Sequence, residues 1–329
     1  MASATDARHI FSLVRKGIDA RAVHAHVRKP FRFLLCGDPA LIAEFRALLL
    51  SGHDDAVPPE AIACLETVRQ DAPLVTSPTE VRAVVFLGRP RDAANADFAA
   101  LSVLRVPIFA LTVDPQAQPS GPSLPPEPGS WSEYVVPAIA REPLRGRFFP
   151  HLVESARGVE IAVGRNLPAL RDTVAAKLTR DAANNALKVA LASAVVDHIP
   201  LVGVVLGAFA SAGDMVAITG IQVMLMLHIE AAYGRDPDLQ RTWQLLPVIG
   251  GGFGWRTLAR ELVGFVPVAG IAIKGAIAYA GTIVVGEGVT FFHEHGRYMT
   301  KGQTAALYER TKSDALRFAR EIVAKFRKS

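Results

Sequence analysis

The sequence predicts an α/β domain built on a parallel sheet, followed by an all-α domain. Between Pro30 and about Ile139, short β-branched and aromatic runs alternate with helical patterns, the signature of strands covered by helices on both faces. Beyond Pro150 the composition shifts and every further stretch has helical spacing. The chain of 329 residues is long enough for two domains and a sizeable core.

The first segment, residues 6–29 (DARHIFSLVRKGIDARAVHAHVRK), sets Ile10, Phe11, Val14 and Ile18 at helical spacing and fills the opposite face with Arg, Lys and His. This is a basic amphipathic helix, suited to packing on its own domain or to a membrane surface. Phe31–Cys36 predicts a strand and the residues after it a helix through Leu50. Val81–Leu87 (VRAVVFL), Val106–Val113 (VPIFALTV) and Trp131–Val136 predict further strands, with a helix around Ala94–Leu104. Pro115–Ser130 (PQAQPSGPSLPPEPGS) is a Pro/Ser/Gly loop with no core to build, so we expect a mobile surface insertion or a peptide-docking segment.

In the second half, Leu167–His198 predicts one long helix, polar at first and then apolar, broken at Pro200. Ser211 with Asp214 three residues on has the form of a capping box, and a helix is expected from there to Tyr233 before Gly234. Asp236 and Pro237 are expected to start another helix, and the glycines at 250–252 form a hinge. A long apolar run covers Leu262–Gly286, and Gln303–Arg327 is a charged amphipathic tail. The expected organisation is a basic helix (1–29), an α/β domain (30–147), a connector (148–165) and a helical domain (166–329).

Composition excludes several classes of function. Half the residues are hydrophobic and only 20% are charged, more apolar than an ordinary soluble chain. The net charge of +5 would suit nucleic acid or an anionic membrane, but the aromatic residues are not interleaved with Arg and Lys, so no nucleic-acid partner is expected. Two cysteines, Cys36 and Cys64, without a CxxC, fit small core residues in a reducing compartment. The N-terminus lacks the apolar h-region of a secretory signal.

FLLCGDPALIAEF at 33–45 has the outline of a strand running into a phosphate-binding loop. That chemistry needs G-x-x-x-x-G-K-[ST]. Counted from Gly37, Ile42 stands at the second glycine, Ala43 at the lysine and Glu44 at the hydroxyl. The later strand ending FLGRP lacks the Asp-x-x-Gly that would hold Mg²⁺, and LTVD retains only Asp114 of a guanine-reading Asn-Lys-x-Asp. Gly37, Asp38 and Asp114 are therefore vestigial positions, and no catalytic residue, cofactor or small-molecule substrate is expected.

A family resemblance rests on IPLVG at 199–203, Asp214 before an apolar helix, Gln222, AAYGRD at 231–236, WRTLAREL at 255–262 and AIAYAGT at 276–282. These motifs, over about residues 165–298, resemble a bacterial domain of unknown function, number six-nine-seven of that series, which is often found behind a small GTPase-like domain. The N-terminal half resembles an eroded Ras/Era-type GTPase domain, a degenerate P-loop GTPase-like sheet. The resemblance implies membrane association with a regulatory role. Arg171, Lys177 and Arg180 before the first apolar segment, with the Lys/Arg-rich tail after Gly286, lead us to expect both ends at the cytoplasmic face of a bacterial inner membrane. It brings no established catalytic residues.

Among the polar residues of the apolar helices, Asp197, Asp214, Gln222 and Lys274 are candidates for fixing helix register or lining a path, because burying such groups unpaired costs several kcal/mol. Lys188 and His198 share this setting, and Lys274 can snorkel. Arg256 and Arg260 lie one turn apart on one helix face and suit lipid headgroups or pairing with Asp197 or Asp214. His293 and His295 in FFHEHGRY point about 200° apart on a helix, so no metal site is expected there; helix-end capping fits better. Leu262–Gly286 holds 25 residues with Lys274 as its only charge, enough to span a bilayer. Ala186–Ala210 is long enough too, but Asp197, His198 and Pro200 stand in its middle. The leading expectation is a non-catalytic, membrane-associated adaptor, with a protein partner or a second copy as further partners. The rivals are a soluble helical scaffold in an oligomer, placed in the cytoplasm, and a weak GTP or ATP hydrolase with a rebuilt site.

Overall fold

The computed structural model describes residues 20–68, 79–95, 98–196, 203–240, 242, 270–300 and positions between 302 and 317. Along the chain run α1 (Ala20–Val27), β1 (Arg32–Gly37), α2 (Pro39–Leu50), α3 (Pro59–Ala63), β2 (Leu65–Thr67), β3 (Val81–Gly88), α4 (Pro90–Asn95), α5 (Ala99–Ser102), β4 (Ile108–Val113) and β5 (Trp131–Val136). Then follow α6 (Arg141–Arg145), α7 (Phe148–Ser155), α8 (Glu160–Asn166), a 3₁₀ turn at Pro168–Leu170, α9 (Arg171–Val196), α10 (Gly203–Ala232) and α11 (Gly270–His295). The chain divides into two compact units. An α/β unit takes His24–Lys177 with Ala231–Arg235, and a helical unit takes Leu178–Glu230, Asp236–Ser329 and Met1–Val23.

The α/β unit carries a five-stranded sheet in the order β2-β1-β3-β4-β5. Every neighbouring pair is parallel. A parallel sheet is covered on both faces, which is why FLLC, VVFL and IFALTV are nearly continuous apolar runs. Leu34, Cys36, Val84, Phe86, Ile108 and Ala110 pack with Phe98 and Leu101 in one cluster. Phe109 and Tyr134 meet Phe148, which also meets Phe45, all at ring separations of 5.3–5.9 Å. The expected connector 148–165 is thus two helices belonging to the α/β unit, because Phe148, Phe149, Leu152 and Val153 are buried. The expected helix from Leu167 begins instead at Arg171, since Pro168 opens a separate 3₁₀ turn.

Strand β2 was not expected. It is three residues long, and its Glu66 pairs with Arg32 at 2.8 Å, a polar edge that discourages pairing with another chain. At the opposite edge, the segment expected to be a mobile insertion lies along β5. Ser120 and Val135 form an antiparallel bridge, and a side chain on Gly121 would meet the Tyr134 ring. Arg147 donates to the carbonyls of Gly121 and Pro122 at 2.8 and 3.1 Å. Backbone pairing and one guanidinium hold a segment that composition alone marks as loose.

In the helical unit, α10 runs unbroken through Ser211 and Asp214, so the expected cap at Ser211 is the interior of a helix. Gly203–Ala210 contains no proline, and the apolar pattern carries the helix back past the polar pair, over Gly207. Gly234, at φ +84, follows the helix end as anticipated. The next helical turn is capped by Asp238 rather than Asp236, accepting from Gln240 N–H at 2.8 Å. Gly296, at φ +65, closes α11 with its N–H on Phe292 O, and Thr300 and Gln303 form a capping box for the tail helix.

Candidate functional site

In an open parallel sheet, ligands sit outside the carboxyl ends of the strands, where the winding reverses; here that point lies between β1 and β3. The turn from β1 to α2 is closed. Gly37 has φ +110, and a Cβ there would overlap the Leu87 carbonyl oxygen at the end of β3. Asp38 donates its N–H to that same oxygen at 2.8 Å. Its carboxylate accepts from Ala40 N–H at 2.7 Å and Leu41 N–H at 3.3 Å. The positive end of the helix is thereby occupied by the protein's own anion.

Strand and helix are separated by Asp38 alone, so no nest of free N–H groups forms between them. Ile42 is buried in the core, while Ala43 and Glu44 are exposed on the helix. The other two turns follow the same plan. Asp92 accepts from Arg89 N–H at 2.9 Å, and Asp114 accepts from Gln116 N–H at 3.0 Å, the local bonding of turn formers.

A cavity of about 700 Å³ opens at the amino ends of the strands, within the α/β unit. Its walls bring together Arg28, Lys29, Arg32, Arg165 and Arg171 with His53, Asp54, Asp55, Glu60 and Glu80. Arg32 is bound at 2.8 Å by Glu66 and at 3.2 Å by Glu80. Arg171 donates to the carbonyls of Gly164 and Gly52, both at 3.3 Å, and lies 6.0 Å from the centroid of the Tyr233 ring. Burial lowers its pKa, and the charge of Asp54 works against that shift. The chain can pass this close to Arg171 because Gly234 has no side chain.

The cavity holds charges of both signs and presents no activated nucleophile. Cys64, on its wall, donates to Glu60 O at 3.1 Å, and burial pushes its thiol up to about 12, so it stays protonated. His53 Nε2 is committed to Asn166 O at 3.1 Å. Cys36 is likewise buried, with its thiol pushed up to about 12. Among the described residues, no group of three or more His, Cys, Asp and Glu could hold a metal ion.

The residues singled out from sequence fall in different places. Gly37, Asp38 and Asp114 stand at the carboxyl ends of β1 and β4. Gln222 of α10 donates to Thr282 of α11 at 3.4 Å, a bond between two apolar helices. Asp214 lies in α10 and Lys274 in α11. Asp197, Arg256 and Arg260 lie outside the described residues, as does His198. The amino-edge cavity was missed altogether. Its one sequence signal is YGR at 233–235, a glycine-bearing helix exit that returns to the α/β unit. The chain matches no family model, no curated protein and no solved structure.

Proposed function

We propose that this chain is a non-catalytic, membrane-associated adaptor or regulatory protein, in which a GTPase-like α/β domain that has lost its phosphate chemistry is joined to a helical membrane-binding domain. The observation that carries the membrane half is helix α11. Its stretch Gly275–His295, of mean hydropathy 1.4, is long and apolar enough to cross a bilayer. The apolar stretch Val216–Ala232 of α10 accompanies it. The non-catalytic half is supported by Asp38, whose carboxylate sits on the helix end where a phosphate would bind. The basic flanks of the apolar half, Arg171, Lys177 and Arg180 on one side and the Lys/Arg-rich tail on the other, support the proposed location, the cytoplasmic face of an inner membrane.

One observation favours the rival, a soluble helical scaffold: half of the Gly275–His295 window is buried inside the protein, as in a core helix. Fractionation of the untagged full-length chain separates the two. The adaptor reading expects the chain in the membrane pellet, resistant to carbonate and released by detergent. Recovery of a monodisperse protein in the soluble fraction would overturn it. Nucleotide binding tests the other half: titration with GTP or ATP and Mg²⁺ at micromolar concentrations is expected to give no binding and no turnover.

A further inference from the structure

The three long helices of the helical unit share one axial register. Gly286 of α11 lies against Thr179 of α9, so closely that a Cβ would overlap the threonine side chain. Gly275 of α11 lies against Leu187 and Leu191, whose side chains would stand 2.7 and 3.0 Å from a Cβ. Numbers fall along α11 as they rise along α9, so these helices are antiparallel. Ile218 and Ile221 of α10 pack on Ala186, Ala190 and Ala278, and Gln222 bonds Thr282. At a second level, Ala232 at the end of α10 and Val174 of α9 both lie against Gly164, so α10 runs antiparallel to α9 and parallel to α11.

This arrangement brings the polar ends of all three helices together. At one end stand Arg180 and Asp181, both exposed, with Glu230 and the exposed pair Glu287–Arg310 at 2.6 Å. Toward the other end the sequences Ala186–Val196, Gly203–Val216 and Gly270–Ala280 carry one charge each, at Lys188, Asp214 and Lys274. Asp214 and Lys274 lie eight residues before Gln222 and Thr282 respectively, so the same register sets these two positions of the helices at one level.

Resting on the membrane reading above, we propose that the apolar end of this bundle enters a phospholipid bilayer end-on, with its water line at the level of Thr179, Gly286 and the Glu287–Arg310 pair. A straight span over Gly275–His295 would instead carry that ion pair into hydrocarbon, where each charge is costly. From Gly286 back to Gly270 is roughly 24 Å of helix, and from Thr179 to Val196 roughly 26 Å. Both fall short of the hydrocarbon thickness of about 30 Å and pass its midplane. The bundle thus reaches through more than one leaflet while its polar end stays on a single side. The half-buried apolar residues at this depth, Ile218, Ile221, Ile277 and Ile283, can face acyl chains, while the exposed Lys188 has to snorkel toward a headgroup.

Depth-dependent quenching tests this. The full-length chain, with a fluorophore on a single introduced cysteine (Ile277→Cys, Ile283→Cys or Glu294→Cys), is mixed with phosphatidylglycerol–phosphatidylethanolamine vesicles, and binding is read by co-sedimentation. The probe at 277 is expected to be quenched several-fold more by a deep nitroxide lipid than by aqueous iodide. The probe at 283 is expected to respond to a shallow nitroxide, and the probe at 294 to iodide alone. A vesicle-bound chain whose 294 probe is shielded like the 277 probe would overturn the end-on geometry and favour a through-span. Bound chain with all three probes open to iodide would place the lipid contact elsewhere. Absence of binding would remove the membrane reading and this inference together.

Discussion

Asp38 joins the residue chemistry to the functional reading most directly, because it is both the cap of α2 and the occupant of the would-be anion site. Removing it as Asp38→Ala should destabilise the α/β unit by about 0.5–2 kcal/mol, measured by urea denaturation, as expected for a lost N-cap. The same variant should gain no nucleotide affinity, because Pro39 lacks an N–H and the turn is a single residue long. His151 gives a pH prediction. Its Nδ1 meets the Tyr134 hydroxyl at 2.7 Å, and its pKa is lowered chiefly by burial and then by the charge of Arg147. A histidine lowered in the folded state takes up its proton more readily on unfolding. Its contribution is therefore present above the ordinary value of about 6.5 and is lost as pH falls through that value toward the folded pKa. His151→Asn keeps an acceptor for Tyr134 and should flatten the dependence of the melting temperature on pH in that window; an unchanged slope would refute the assignment.

At the scale of elements, β1, β3 and β4 were legible because each is an apolar run bounded by turn residues and buried on both faces, and β5, the partly exposed edge strand, from its aromatic and β-branched residues. β2 was not, since three residues carrying Glu66 and Thr67 give no period to read. The Ser211–Asp214 pair misled for a related reason: its spacing is that of a cap, but the apolar residues before it continue the helix. The amino-edge cavity depends on Arg171 meeting Tyr233, residues distant in sequence that no local pattern connects. In the helical unit, packing of α11 against α9 depends on Gly286, so Gly286→Leu should separate the two helices and lower the unfolding midpoint in detergent, read by circular dichroism. Register predicts a second effect. Asp214→Lys leaves two cations at one level, and Lys274→Asp leaves two anions. Each should reduce vesicle partitioning, because like charges repel where an opposite pair attracts, and the double exchange should recover most of the loss.

On the scale of the whole molecule, a sheet whose carboxyl-edge turns are capped by their own aspartates is joined to helices that are apolar at one end and charged at the other. On the adaptor reading proposed above, such a chain would hold a folded domain at a membrane without needing a nucleotide to keep it there. The most direct test is flotation of the purified full-length chain with phosphatidylglycerol–phosphatidylethanolamine liposomes on a density gradient, with and without GTP and Mg²⁺. The adaptor account predicts that the chain rises with the liposomes to the same extent in both conditions. A chain that stays at the bottom of the gradient as a monodisperse species, or one that floats only when GTP is present, would contradict it.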